Sequence, residues 1–462
     1  MKIFYSAAHI QQPNWRVFSM NKVLVLGAGM VSRPLVRYLL DLPDCHVVMA
    51  SRTVSKAEVC IDSHPDGTAK SLDCTDAPAL EDLVINSDVV VSLLPYVYHV
   101  EVANLCIKHK KHLVTTSYVS KDMKALHTKA QAAGILLLNE CGLDPGIDHM
   151  SAMRVIHEVA KNGGKITSFR STTGALPSHE ANTNPFGYKF SWAPRGVLLA
   201  SRNPAKWLQD GEIISIPGKE LFENYTLQDI ENVGSFENYP NRDSVPYKEI
   251  YGLMDAKTVY RGTFRMSGWC ETMRHIAALG WLQDTKIKEF TGKTYGSLTR
   301  HLIKAKPETN LKEATASTLG LTQFSTVLKR LEWLGLLNED LTLPTDRNTP
   351  LDWLNVLTLQ KMSLGKNERD MIVMHHEFIA SYPNKKEYIT STLVNYGIPN
   401  NDSAVARTVA LPAAIAVKMI LNKTITITGV HIPVQPAIYN PILDELAEMD
   451  ITFKEKTTPL KS

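Results

Sequence analysis

KVLVLGAGMVSRP, residues 22–34, decides the fold. Residues 22–26 form a short apolar run. Gly27-Ala28-Gly29-Met30-Val31-Ser32 follows directly and fits G-x-G-x-x-G/A with serine in the third position. Residues 32–40 then carry apolar side chains at 35, 36, 39 and 40, a helical stripe. Pro34 falls in the first turn, where its missing N–H costs nothing. In this strand–turn–helix setting Gly27 allows the tight turn and Gly29 lets backbone approach a pyrophosphate. Ser32 need only be small, for close helix–strand packing. The phosphates would meet free N–H groups and the positive end of the helix dipole. The context favours dinucleotide binding over a merely structural turn.

Outward from the turn, strands and helices alternate. Residues 46–50, 68–73, 88–94, 112–117 and 135–138 read as strands, and 54–60, 76–85, 100–108 and 121–133 as helices. The strands are nearly all apolar, as expected when helices cover both faces of a parallel sheet. Repeated βα units at this spacing predict an α/β, doubly wound Rossmann domain over 21–147. From about 165 the texture changes. Strands at 165–173, 212–216 and 258–266, separated by Pro- and Asn-rich loops, predict an α+β domain over 148–270 and 361–403. Residues 271–360 are helix-rich and read as a small helical subdomain. The tail returns to α/β character, with a helix at 404–422, a strand at 424–428 and a helix at 437–449. It is expected to complete the Rossmann domain over 404–462. Residues 1–20 read as an N-terminal extension without the apolar core of a secretory signal. It is expected to be an appended arm or the product of an upstream start codon that adds little to the fold, with an ordered surface arm as the competing reading.

The composition sets the class. A length of 462 residues suggests about three domains. Hydrophobic residues make up 44% and charged residues 21%, which excludes a disordered chain. Lys+Arg 50 against Asp+Glu 47 leaves +3, so neither nucleic acid nor an anionic membrane is called for as partner. Cysteines at 45, 60, 74, 106, 141 and 270 form no CxxC pair. They suit a reducing compartment, and a cytoplasmic location is expected. The longest apolar runs, 88–100 and 411–421, fall short of the roughly eighteen residues that span a bilayer.

Ligand chemistry is expected at the carboxyl edge of the parallel sheet. The second strand ends in Ser51-Arg52-Thr53 rather than Asp or Glu. A carboxylate would repel a 2′-phosphate, whereas an arginine with flanking hydroxyls binds one. This favours NADP over NAD. The competing reading of Arg52 is a solvated surface side chain. Later strands end in Leu93-Leu94-Pro95, in Thr116-Ser117-Tyr118 and in the run from Asn139 to Gly146. Tyr118 and Asp144 are the candidates for proton transfer at the nicotinamide end. For Asp144 an Asx-turn or helix cap before Pro145 competes. No metal site is expected. His375, His376 and Glu377 are adjacent on a strand and point to alternate faces, and no HExxH occurs.

Several segments together resemble the saccharopine dehydrogenases of the L-glutamate-forming type, also called saccharopine reductases. They are VLVLGAGMVSRP (23–34), VVSLLPYVYH (90–99), NECGLDPGIDHM (139–150), NPFGYKFSWAPRGVL (184–198), ENYPNRDS (237–244), YRGTFRMSGW (260–269) and RDMIVMHHEF (369–378). The resemblance runs from about Asn21 to the C-terminus. It implies interconversion of saccharopine with L-glutamate and 2-aminoadipate 6-semialdehyde in lysine metabolism, with NADP or NAD. It further implies a variant Rossmann domain, a domain for substrate binding and dimerisation, a small helical domain and a homodimer. On this resemblance Met30, Val31, Ser32 and Arg33 belong to the phosphate-binding turn. Ser51, Arg52 and Thr53 belong to the 2′-phosphate site, and Leu94 lies on the cofactor side. Gly142, Leu143 and Asp144 touch both cofactor and saccharopine. Ser117, Tyr118, Arg242, Thr263, Phe264 and Arg265 touch substrate. Many relatives carry Cys-Gly-Gly where this chain has Thr173-Gly174-Ala175, so no covalent role is expected at 173.

The implied substrate has three carboxylates and two amines, and arginine suits such a ligand. Arg242 and Arg265 sit in polar or Gly-rich segments, with Arg195 a weaker third. A structural Arg–carboxylate pair is the competing reading for each. The implied reaction gives a hydride from the carbon beside the secondary amine to the nicotinamide, and water then opens the imine. The substrate's own amines could also shuttle protons. Two alternatives stay open. One is a related imine reductase, such as a carboxynorspermidine or homospermidine synthase. The other is a cofactor sensor without catalysis, against which the substrate motifs count.

Overall fold

The apolar runs of the first third become a parallel sheet. The computed structural model describes residues 20–461, and the expectation for 1–19 lies outside them. β1 (Asn21–Leu26), β2 (Cys45–Ser51), β3 (Gly67–Ser71), β4 (Val89–Ser92), β5 (His112–Thr115) and β6 (Leu136–Leu138) are joined by helices. A late strand, Gly429–His431, adds to β6. The order is Gly429–His431, β6, β5, β4, β1, β2, β3, with every neighbour parallel. Helices on both faces bury the central strands completely, so β4 and β6 carry no exposed residue. Strand order reverses between β1 and β4, and the crevice above their carboxyl ends is where such sheets take ligands.

The second sheet is mixed. It contains β7 (Lys165–Pro177), β8 (Ala205–Gln209), β9 (Glu212–Ile216), β10 (Thr226–Ile230), β11 (Gly234–Pro240), β12 (Thr258–Arg265), β13 (Asp370–Ser381) and β14 (Lys386–Tyr396). After β15, the Gly429–His431 strand, comes β16 (Phe453–Leu460). The order is β10-β11-β12-β7-β13-β14-β16, with β8 beside β12 and β9 beside β8. Between β12 and β13 the helices Trp269–Ala278, Tyr295–Leu302, Leu311–Leu319, Thr326–Leu334 and Pro350–Met362 pack around buried Trp269, Trp281 and Trp353.

Four expectations are corrected. The helix expected at 121–133 is two helices, Lys121–Ala125 and His127–Ala133. They part at Leu126, whose N–H closes a tight turn on Met123 O. No strand forms at 424–428. Pairing starts at Gly429, whose N–H reaches Ile135 O at 2.8 Å. The tail does not wholly complete the first sheet, because β16 pairs antiparallel with β14 in the second. Finally, among the described residues one helix, Ala404–Leu421, is long and apolar enough by composition to cross a membrane, with mean hydropathy 1.7. It is 78% buried, and its side chains join the core beneath β1 and β4.

That helix is anchored at its first turn. Asp370, at the start of β13, is fully buried, and its carboxylate accepts from Ala404 N at 2.6 Å and Val405 N at 3.0 Å. Two charge-assisted bonds thus satisfy helix N–H groups that have no intrahelical partner. Asp370→Ala should lower the free energy of unfolding by roughly 3 kcal/mol in denaturant titrations. A loss under about 1 kcal/mol would mean that the helix start has other means of support.

Candidate functional site

A cavity of about 610 Å³ lies where the carboxyl edge of the first sheet meets the second. Gly29, Met30, Val31, Leu93 and Thr116 line its nucleotide side. Tyr118, Leu143, Asp144, Arg242, Thr263 and Arg265 line the other. Loops after β1, β4, β5 and β6 therefore face strand β12 and the loop after β11.

The turn after β1 has the shape a pyrophosphate needs. Gly27 has φ +103°, and a Cβ there would stand 3.0 Å from Leu93 O. A Cβ on Gly29 would meet nothing, so its backbone opens directly on the cavity. Ser32 is buried and donates to Gly29 O at 2.8 Å, which closes the turn. The helix Arg33–Leu40 that follows has no side-chain cap and no acidic residue in its first turn. Its leading N–H groups and positive dipole end are available to an anion. Arg33 itself is committed elsewhere, to Asn401 at 2.6 Å and Asp402 at 2.9 Å. At the end of β2, Ser51 Oγ accepts from Thr53 N, and Arg52 and Thr53 are exposed. Asp73 is the carboxylate whose charge Arg52 feels. It lies below the usual range, chiefly through the N–H and hydroxyl of Thr75 and more weakly through Arg52. These residues lie outside the cavity lining.

On the substrate side, alternation along β12 sorts the candidates. Thr263 and Arg265 face the cavity. Phe264 does not: it is 0% exposed and packs on the opposite face with Leu176, Phe236 and Met371. The expected substrate contact at Phe264 is therefore corrected by strand periodicity. Arg265 is 4% exposed, and its guanidinium lies against the rings of Tyr188, Tyr239 and Trp269. Its one side-chain hydrogen bond runs from Nη1 to Phe264 O, and buried Nε has no partner. Arg242 is exposed, at φ +55°, with its guanidinium 5.3 Å from the Tyr118 ring. Arg195 is instead bound to Asp352 and Asp284, a structural ion pair. Thr173 lines the cavity with its buried hydroxyl unpartnered. Leu94 turns toward the core, and Leu93 lines the cavity in its place. Ser117 lies behind the wall, bonded to His99 at 2.9 Å.

Asp144 is not a cap. Its Oδ1 accepts from Tyr118 OH at 3.0 Å and from Arg261 Nη2. The helix Ile147–Lys161 starts at Gly146, whose N–H goes to Asp148 Oδ1 at 2.6 Å. Burial raises the Asp144 carboxyl above the usual carboxylate range, with Arg261 pulling the other way and Asp148 adding to the rise. A raised carboxyl holds its proton more readily than a free one, which suits acid–base work. Behind it, burial disfavours a charged His149, yet Asp148 and Glu140 outweigh that and raise its pKa. Glu140, despite burial, is lowered by the His149 and Val119 N–H bonds.

Sequence reasoning missed Arg261, Asp148, His149 and Glu140 as members of this group. Arg261 had a usable signal, because it precedes Thr263 and Arg265 by two and four positions on one strand.

A glycine turn at the switch point, with acid–base groups across the cavity from it, places the chain among the dinucleotide-dependent oxidoreductases. Residues 23–138 match the family model for the saccharopine dehydrogenase NADP binding domain, and 142–451 match the saccharopine dehydrogenase C-terminal domain. The chain belongs to the saccharopine dehydrogenase family. It is 38% identical over 447 residues to the saccharopine dehydrogenase [NADP(+), L-glutamate-forming] of Schizosaccharomyces pombe, covering 95% of this chain and 99% of that one. It is 36% identical to the mitochondrial alpha-aminoadipic semialdehyde synthase of Rattus norvegicus, covering 95% of this chain but 48% of that one. The structure of apo saccharopine dehydrogenase (L-Glu forming) from Saccharomyces cerevisiae aligns with TM-score 0.86 at 38% identity, over 95% of this chain and 100% of that one.

The loop that carries Asp144 depends on Gly146. It has φ +148°, and a Cβ would stand 2.0 Å from Gly142 O. Gly146→Ala should cost roughly 2–4 kcal/mol of stability and reduce turnover. An unchanged melting temperature would show that the loop has a second conformation open to it.

Proposed function

We propose that this chain is an NADP-dependent saccharopine dehydrogenase of the L-glutamate-forming type. It interconverts saccharopine with L-glutamate and 2-aminoadipate 6-semialdehyde in lysine metabolism. Arg265 carries the reading on the structural side. A buried guanidinium with no carboxylate partner among the described residues, facing a cavity, leaves its charge for an anionic ligand. Burying such a charge costs several kcal/mol unless an anion completes it. A substrate rich in carboxylates meets that need. A cofactor sensor would have no use for it.

Each group has a proposed role. Gly29 and the N-terminus of the helix Arg33–Leu40 hold the pyrophosphate. Arg52, flanked by Ser51 and Thr53, takes the 2′-phosphate. NADP, when bound, supplies the hydride acceptor. Arg242, Arg265 and Thr263 bind substrate carboxylates and fix the secondary amine near Asp144. Asp144 accepts the amine proton in the oxidative direction, and the Tyr118 hydroxyl orients that carboxylate. We further propose a homodimer, supported by exposed Ile213, Tyr225 and Leu227 near the β9 and β10 edges of the second sheet. All six cysteines are buried and unpaired, which supports the cytoplasm or another reducing compartment.

Purified protein should reduce NADP when saccharopine is added. Arg52→Ala should raise KM for NADP about tenfold or more, equivalent to about 1.4 kcal/mol, while KM for NAD moves little. Equal losses with both cofactors would remove Arg52 from the 2′-phosphate site. Arg265→Met should raise KM for saccharopine by about 100-fold with KM for NADP unchanged. Absence of turnover despite cofactor binding would overturn the proposed activity.

A further inference from the structure

We propose that Arg261 is a positioning residue for this reaction. It fixes Asp144 and Tyr118 against the cavity and joins them electrostatically to Asp148, Glu140 and His149 behind the wall. The inference rests on the proposed role of Asp144 as proton acceptor.

Arg261 is 3% exposed and does not line the cavity, so it is not available to substrate as Arg265 is. Its Nη2 lies between three oxygens: Asp144 Oδ1, Asp148 Oδ2 at 2.5 Å and Tyr118 OH at 3.3 Å. Two N–H hydrogens on that nitrogen match the two carboxylates. The Tyr118 hydroxyl hydrogen is then left for Asp144. The guanidinium lies 4.4 Å over the Tyr247 ring, which fixes its plane. The contacts continue inward. Asp148 Oδ2 is 3.9 Å from His149 Nδ1. His149 Nε2 donates to Glu140 Oε2 at 2.7 Å, and Nδ1 meets Tyr251 OH at 2.5 Å. Glu140 Oε1 accepts from Val119 N, one residue beyond Tyr118.

Charge counting gives this arrangement a function. Among the described residues, Asp144, Asp148 and Glu140 stand against Arg261 and, when it is protonated, His149. With all five ionised, a buried group carries one negative charge in excess, which low dielectric makes costly. One proton relieves it. Asp144 is the carboxylate whose affinity for that proton is raised, and Arg261 is the strongest force holding it down. The groups that face Asp144 are Arg261 from β12, Asp148 and His149 from the helix Ile147–Lys161, Tyr118 from the loop after β5, and Tyr247 from the helix Tyr247–Ile250. Across the Tyr118 ring stands Arg242. His376 of β13, kept neutral by burial, completes the surroundings. Among the cations of the described residues, only Arg261 bonds the Asp144 carboxylate directly. Removing it raises the Asp144 pKa further, so the carboxyl holds its proton to higher pH.

The test is the pH dependence of kcat in the oxidative direction for wild type, Arg261→Gln and Arg261→Lys. Arg261→Gln should shift the acid limb to higher pH by at least one unit, a tenfold loss below the limb, with KM for saccharopine within about threefold. Arg261→Lys should return most of the shift, because it keeps the charge. A uniform loss at every pH with the limb in place would overturn the proposal, as would a rise in KM alone. If Arg261→Gln does not fold, His149→Gln should move the same limb in the same direction, and an unmoved limb overturns the proposal equally. No turnover in the wild type would sink the functional reading and leave this one to be read from thermal melting. A raised carboxyl stabilises the fold at low pH and loses that contribution as pH rises through its folded pKa. In Arg261→Gln that loss should fall at higher pH than in wild type and vanish in Asp144→Asn/Arg261→Gln. Coincident curves for wild type and Arg261→Gln would overturn the inference.

Discussion

The ion pair between Arg261 and Asp144 joins the two halves of the molecule at the point where chemistry is proposed. Arg261 belongs to a strand of the second sheet, and Asp144 to the loop that leaves the first. Asp148 opens the helix after that loop and takes the same guanidinium nitrogen. The cavity exists because the two sheets meet there, and these bonds set how closely they meet. Buried charges of this kind add little net stability compared with apolar packing, since desolvation consumes most of the attraction. What they provide is a fixed geometry, because a charged group left unpaired at that depth would be far more costly than the pair.

The two arginines of β12 divide two tasks, two repeats of the strand apart. Arg261 is paired within the protein. Arg265, four residues on and on the same face, is surrounded by aromatic rings and has no ion-pair partner among the described residues. The first holds the protein's own carboxylates, and the second is suited to hold a ligand's. Arg195, which looked like a third cation for substrate, is neutralised by Asp284 and Asp352 and takes no part.

Much of this was legible in the chain. The first sheet could be read because its strands are buried on both faces and so are continuously apolar, and the glycine turn because backbone conformation demands it. The mixed sheet was harder. On β12 the contiguous set Thr263, Phe264 and Arg265 ignores the period of two, which excludes Phe264 and brings in Arg261. Asp144 carried two local readings, and only contacts from Tyr118 and Arg261, distant in sequence, separate them. Likewise, whether the tail strand β16 joins the first or the second sheet depends on an edge of β14 about sixty residues earlier. Nothing local to residues 453–460 states it.

The parallel sheet takes its edge strand from far along the chain. Gly429 pairs with Leu136, and the helix that fills the core beneath β1 and β4 begins only at Ala404. During synthesis the first 138 residues therefore leave the ribosome with an open sheet edge and an uncovered apolar face. The nucleotide-binding unit closes late, because its core helix and its edge strand both lie beyond residue 403.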